Sequence, residues 1–224
     1  DPGEDRELTF NRSIIKSKEN LIRLLRKAKG NISVTIKAKR LNEKLVPEEM
    51  ISIITQELRL QTDVDFQSSI LHAYGPLQNT GPFPPQVNKE TTYTYTAKIA
   101  NTANAIKDLT FIAKLPPNVT WKNVYTTNIP AKSVSYSAGR KEVTITLGNL
   151  EPGTGIDTPV KEFSFQVGFT PNVTQFGTAP VLILNPRISA VDTFTGVRID
   201  KGIDSLSIIP TGDSGNIGDG SVTQ

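Results

Sequence analysis

Two periods of apolar residues divide this chain. Over its first quarter the pattern is mixed. Residues 17–29 carry apolar side chains at helical spacing, with Leu21, Leu24, Leu25 and Ala28 on one face. Ser17 stands at the N-cap position and Gly30 where a C′ glycine belongs, so a helix is predicted there. Ile32, Val34, Ile36 and Ala38 then alternate with polar residues, which predicts a half-buried strand. Pro47 opening Glu48-Glu49-Met50-Ile51 predicts a short second helix. Elements this few cannot close a core, so residues 1–57 read as a small basic α+β segment, the tail of a preceding domain.

From Leu58 onward the period is two. Leu58, Leu60, Val64, Phe66 and Ile70 share one face of a long first strand. A Gly/Pro-rich kink follows, from Gly75-Pro76 to Pro84-Pro85. Tyr93, Tyr95, Ala97 and Ile99 then alternate with Thr92, Thr94, Thr96 and Lys98, which predicts a threonine stripe on an exposed face. Similar sets are Leu109, Phe111, Ala113 and Leu115; Val143, Ile145 and Leu147; and Phe163, Phe165, Val167 and Phe169. Ala138-Gly139 and Thr195-Gly196 mark hairpin turns. Short strands between Pro, Gly and Asn turns, with no helical period after residue 60, predict an immunoglobulin-like antiparallel β-sandwich of about seven to nine strands over residues 58–210. Residues 211–224 are rich in Gly, Ser and Asp and predict a flexible tail.

Charge sharpens the boundary. Residues 1–60 hold 13 Lys+Arg against 9 Asp+Glu, and residues 61–224 hold 12 against 13. Between Lys16 and Arg40 the only acid is Glu19. Arg23, Arg26, Lys27, Lys29, Lys37, Lys39 and Arg40 are therefore the candidate polyanion-binding residues, able to meet phosphate or another anionic polymer. Phe10 is the only aromatic among residues 1–60, and single-strand nucleic-acid binders need stacking aromatics, so no specific nucleic-acid partner is expected. A solvated basic face is the plainer reading of the same residues.

The chain has no cysteine, one histidine and one methionine. Thiolate chemistry, disulfides and Cys-based zinc sites are excluded, and no catalytic, cofactor-binding or metal-binding residues are assigned. His72 reads as a strand-end or loop histidine. Asp63 and Asp65 flank Val64 on one face and read as an exposed edge pair. Asp213, Asn216 and Asp219 lack the two-residue spacing of an EF-hand loop. By alternation Lys98 and Lys114 lie on the polar side of their strands, away from any partner for a Lys–Asn crosslink. An enzyme is not expected.

One ordered set of motifs adds to this reading. It runs through Gly81-Pro-Phe-Pro-Pro-Gln-Val-Asn-Lys-Glu-Thr-Thr-Tyr-Thr-Tyr95, Ile99-Ala-Asn-Thr-Ala-Asn104, Leu115-Pro-Pro-Asn-Val-Thr-Trp121, Gly148-Asn-Leu-Glu-Pro-Gly-Thr-Gly155, Phe165-Gln-Val-Gly-Phe-Thr-Pro171 and Asp192-Thr-Phe-Thr-Gly196. Over roughly residues 60–205 the chain resembles the conserved-repeat surface domain. This is an immunoglobulin-like domain of unknown function, found in tandem in bacterial and archaeal envelope proteins. The resemblance is nearest to the C-terminal copy in long repeat proteins of candidate-phyla bacteria. It implies an extracellular, envelope-associated, non-enzymatic structural or adhesion module. Its partners would be tandem domains, identical subunits, or a surface glycan or anionic polymer, with any membrane anchor outside this chain.

Overall fold

The computed structural model describes residues 25–41, 47–126, 133–213 and 220–224. Strands dominate them: β1 (Lys29–Leu41), β2 (Pro47–Arg59), β3 (Val64–Leu71), β4 (Thr91–Asn101), β5 (Ile106–Lys114), β6 (Val119–Tyr125), β7 (Val134–Ser137), β8 (Glu142–Leu150), β9 (Lys161–Phe169), β10 (Val181–Asp192), β11 (Arg198–Gly202) and β12 (Leu206–Ser207). One 3-10 turn spans Val173–Gln175, capped by the Asn172 side chain.

The alternating segments build two antiparallel sheets. One has the order β3-β4-β9-β6, and the other the order β11-β10-β5-β8-β7, with β12 beside β10. In the sandwich arrangement, β3, β4, β9 and β6 hold the places of A, B, E and D, while β5, β10 and β11 hold those of C, F and G. The β7–β8 hairpin widens the C edge. Both predicted hairpins form. β7 and β8 are joined through Ala138-Gly139-Arg140-Lys141, and β10 and β11 through the turn at Thr195-Gly196.

Side chains of period two meet between the sheets. Tyr93, Tyr95, Ala97 and Ile99 of β4, Leu109, Phe111 and Ala113 of β5, Val143 and Ile145 of β8, and Phe163, Phe165, Val167 and Phe169 of β9 are all buried. At the centre Phe111 stands edge-on to Phe163 with ring centroids 4.9 Å apart, and Tyr95 stacks on Phe165 at 4.7 Å. Aromatic pairs in these geometries contribute about 0.5–1.5 kcal/mol beyond the area they bury.

Several sequence expectations are corrected. Residues 47–59 form a strand, not a helix: β-branched Ile51, Ile53, Ile54 and Thr55 favour a pleated backbone, and β1 supplies the ladder partner. Of the helix predicted over 17–29, the described part is a turn at Leu25–Lys27 running into β1; the rest lies outside the described residues. Leu58 and Leu60 do not continue β3, because β2 ends at Arg59 and both leucines are exposed. Thr92, Thr94 and Thr96 are not an exposed stripe but are buried. The Pro/Gly-rich segment lies over that face of β4. Thr94 Oγ1 donates to Asn79 Oδ1 at 3.1 Å, Thr80 N–H to Thr92 Oγ1 at 2.6 Å, and Thr91 Oγ1 to the Pro82 carbonyl at 2.8 Å. Prolines lack N–H groups, so such a segment needs few backbone partners and can cover a sheet face with side-chain bonds instead.

The residues of the Gly/Ser/Asp-rich stretch that are described lie on the sandwich. Asp213 accepts from the backbone N–H groups of His72, Ala73 and Tyr74, and Gly212 N–H donates to the Ile70 carbonyl. Val222 is buried, and Val222 and Thr223 exchange four backbone hydrogen bonds with Pro85, Val87, Gly177 and Thr178.

Among the described residues one buried group is left unpaired: the Tyr93 hydroxyl has no hydrogen-bond partner, and burial pushes it well above the usual tyrosine range. A buried orphan hydroxyl costs about 1–3 kcal/mol. Tyr93→Phe is therefore expected to raise the unfolding midpoint, and a drop would show that the hydroxyl finds a partner. Tyr95→Phe is the contrast, since its hydroxyl bonds to Ser68 Oγ.

Candidate functional site, an exposed β-ribbon and its root

Among the described residues β1 and β2 pair only with each other, in register from Lys29↔Arg59 to Leu41↔Pro47. Each strand has 13 residues, about 44 Å of chain at the usual rise of about 3.4 Å per residue. The alternation foreseen for β1 is matched across the ladder, so the ribbon is two-faced. One face carries Gly30, Ile32, Val34, Ile36 and Ala38 opposite Leu58, Gln56, Ile54, Ser52 and Met50. The other carries Lys29, Asn31, Ser33, Thr35 and Lys37 opposite Arg59, Glu57, Thr55, Ile53 and Ile51. Neither face is covered by described residues: Val34 is 50% exposed, Ile54 59% and Ile53 66%. Two strands alone are marginal in water, and apolar patches of this size mark contact surfaces.

The root of the ribbon is tied to the sandwich by a buried polar cluster. Asp192, the last residue of β10, opens the β10–β11 turn. Its Oδ1 accepts from the N–H groups of Phe194 (2.8 Å) and Thr195 (3.1 Å). Its Oδ2 accepts from Thr62 N–H (2.8 Å) and from the Asn104 side-chain amide (2.9 Å). Asn104 also donates to the Leu60 carbonyl and accepts from Lys27 N–H, and Asn101 accepts from the Thr62 hydroxyl. Both sides of the ribbon's base are therefore clamped by one carboxylate and two asparagines. Burial works to raise the Asp192 carboxyl, but the four N–H donors outweigh it and hold its pKa below the usual range.

A second tie is ionic. Arg26 pairs with Asp157 at 2.7 Å. Gly153 makes room for that pair, since at its φ of +80° a Cβ would lie 2.8 Å from Asp157 Oδ2. Phe194 supplies a third contact, with Lys29 Nζ 6.0 Å and the Arg59 guanidinium 5.5 Å from its ring centroid. Beside the root, Leu25, Ala28, Gly30, Leu58 and Leu60 line an open cavity of about 500 Å³.

The candidate polyanion residues are not gathered by this geometry. Arg26 is engaged with Asp157 and Lys29 with Glu57 (3.2 Å). Lys27 sits in the turn before β1, and Lys37 lies eight residues beyond Lys29 along it. Lys39 and Arg40 fall in register with Glu49 and Glu48, and Arg23 lies outside the described residues. His72 is a loop residue whose Nδ1 contacts the Thr92 carbonyl at 3.1 Å while its ring stacks on Phe83. Asp63 pairs with Lys201, and Asp65 accepts from Gln67. Lys98 and Lys114 are exposed. Among the described residues no group of three or more His, Cys, Asp or Glu side chains could hold a metal, and no helix is long and apolar enough to cross a membrane.

No protein-family model matches the chain, and no curated protein does. Among solved structures it is similar to BcpA, the major pilin subunit of Bacillus cereus, at 15% identity and a TM-score of 0.42. A substituted form of BcpA gives 16% and 0.43. The full-length major pilin SpaD from Corynebacterium diphtheriae gives 11% and 0.37. The likeness covers 79% of this chain and 48% of either BcpA form, and 65% of this chain and 34% of SpaD. The chain thus spans about half the length of BcpA and a third of SpaD. With TM-scores below 0.5, these likenesses assign neither a family nor a function.

Proposed function

We propose that this chain is a non-catalytic structural module of an extracellular envelope protein, joined to identical subunits or tandem neighbours through its β1–β2 ribbon. One observation carries the reading: a ribbon of two 13-residue strands, left uncovered on both faces and along both edges by the described residues, stands on a sandwich whose edge strands are all shorter. β7 has four residues, β11 five and β12 two; β6 has seven, with its register broken between Trp121 and Tyr125, and β3 is partly covered by the Thr211–Asp213 stretch. Unpaired strand edges accept another strand by backbone hydrogen bonding, so the ribbon is the assembly element. The resemblance to tandem surface domains supports the same setting.

Sedimentation of the intact 224-residue chain tests this. Species larger than a monomer, growing with concentration, are expected. A monomer that persists into the high micromolar range would leave the chain a passive spacer.

A further inference from the structure

The outer face of the larger sheet holds an open furrow of about 310 Å³, well away from the packed core. Its lining follows from the register. Ile112 of β5 stands beside Arg187 of β10, Thr110 beside Ser189, and Ser189 in turn beside Asp200 of β11. Phe111, Ile188 and Ile199 lie between these residues and are buried, so the lining residues point outward. Short side chains, Thr110, Ile112 and Ser189, occupy the middle strands, and the long side chains of Arg187 and Arg198 rise beside them. Gly202 is the partner of Arg187 on β11, so no side chain crowds the guanidinium from that strand.

Two polar side chains of this furrow stand without partners. Among the described residues neither the Arg187 guanidinium nor the Ser189 hydroxyl makes a hydrogen bond or an ion pair. Arg198 differs, because its Nε and Nη2 donate to Asp200 at 2.8 and 3.3 Å. A carboxylate has about four acceptor positions, so Asp200 can accept further donors. The Thr110 hydroxyl donates to the Asp108 carbonyl and remains free to accept. Two guanidinium groups against one carboxylate leave one uncompensated positive charge, on Arg187. The furrow does not offer main chain: β5 and β10 have ladders on both sides, so their N–H and C=O groups are already engaged. An extended peptide has no strand to pair with there, and a nucleic acid finds no aromatic to stack on. A ligand with one carboxylate and several hydroxyls of its own meets every group present.

We infer that this furrow binds an acidic saccharide, a pyranose carrying one carboxylate, as a unit of a uronate polymer. The carboxylate takes the planar fork of Arg187, whose paired N–H groups match its two oxygens. Ring hydroxyls donate to Asp200 and bond to Ser189 and Thr110, and a C–H face of the sugar rests on Ile112. The same sheet face continues onto β8, where Thr146 and Thr144 stand beside Thr110 and Ile112, so a neighbouring sugar unit also meets hydroxyls. The site is built by sandwich strands alone and does not rest on the ribbon. An open furrow with one ionic contact binds weakly, with a dissociation constant on the order of 1 mM, and gains when many copies share one surface.

The test is an NMR titration of the intact, isotope-labelled chain at low ionic strength with oligomers of galacturonate, glucuronate and mannuronate. At least one is expected to bind with a dissociation constant below about 10 mM, moving amide signals of β5, β10 and β11. Methyl esterification of that oligomer removes its charge and keeps its rings, and should weaken binding at least tenfold. Arg187→Ala should do the same, while Arg187→Lys, which keeps the charge and loses the fork, should fall between. Ser189→Tyr fills the furrow and should abolish binding with Arg187 intact. Arg187 is exposed, so its variants should keep the wild-type unfolding midpoint and sedimentation behaviour. The inference is overturned if none of the three oligomers binds below about 10 mM, if the methyl ester binds as tightly, or if Arg187→Ala has no effect. Equal binding of a polyglutamate of the same charge would make the ligand an acidic peptide and overturn it too. None of these readouts depends on self-association, so the proposed function stands or falls separately.

Discussion

Asp192→Ala is expected to lower the free energy of unfolding by about 3–5 kcal/mol, measured by denaturant titration of the intact chain. The carboxylate is buried and accepts four N–H groups, from Thr62, Asn104, Phe194 and Thr195. Alanine would leave these donors without an acceptor. Each buried orphan costs about 1–3 kcal/mol, less where water enters the space left behind. Asp192→Asn keeps the shape but turns an NH₂ toward donors, so it should fall between. The acid limb of the stability curve gives an independent check. The folded carboxyl is a stronger acid than the unfolded one, so its contribution is complete above about pH 4 and is lost as pH falls through the folded value. The gap between wild type and Asp192→Ala should close on that limb. A loss below about 1 kcal/mol at neutral pH would mean that the turn and the ribbon root hold together without the carboxylate.

Phe111→Ala should cost a similar amount, about 3–5 kcal/mol. Phe111 is fully buried at the meeting point of both sheets, edge-on to Phe163 and within 6.2 Å of the rings of Phe66 and Phe165. Its removal opens a cavity whose walls come from β3, β4, β5 and β9. Of these, β4, β5 and β9 are held by ladders on both sides and cannot collapse into it. Phe176→Ala is the control: that ring is 56% exposed, and its loss should change stability by no more than about 0.5 kcal/mol. Equal effects at the two sites would contradict the placement of the core.

The sandwich was legible because its apolar residues recur at every second position and its turns carry Gly and Asn. What period two could not report was which outer faces are covered. The stripe of Thr92, Thr94 and Thr96 has the composition of a solvated face, yet it is buried, because the proline-rich connection between β3 and β4 folds back across it. Residues 47–59 misled in another way. Pro47 followed by two glutamates imitates a helix start, and only the pairing with β1 selects the extended state. The polar root was the hardest to see. Asn101, Asn104 and Asp192 all lie in motifs that stand out in the chain, and Asp192 opening Thr-Phe-Thr-Gly is a typical Asx-turn signal. But the pairing spans 88 residues, and no local pattern joins its members.

The places where the ribbon and Thr223 join the sandwich bear on mechanics. The ribbon leaves the sandwich at the pole where Val64 pairs with Asn101, and Thr223 is held at the other pole, beside Pro85 and Val87. Tension applied between them runs parallel to the strands. β3 and β4 are then sheared, with the eight pairs from Val64↔Asn101 to Leu71↔Thr94 resisting together. At the opposite pole Val222 and Thr223 are held by four backbone bonds and by the Thr223 hydroxyl on the Pro85 carbonyl, backed by the Asp213 carboxylate on the loop at His72–Tyr74. Load applied there is expected to open the clasp of Val222 and Thr223 before the aromatic core.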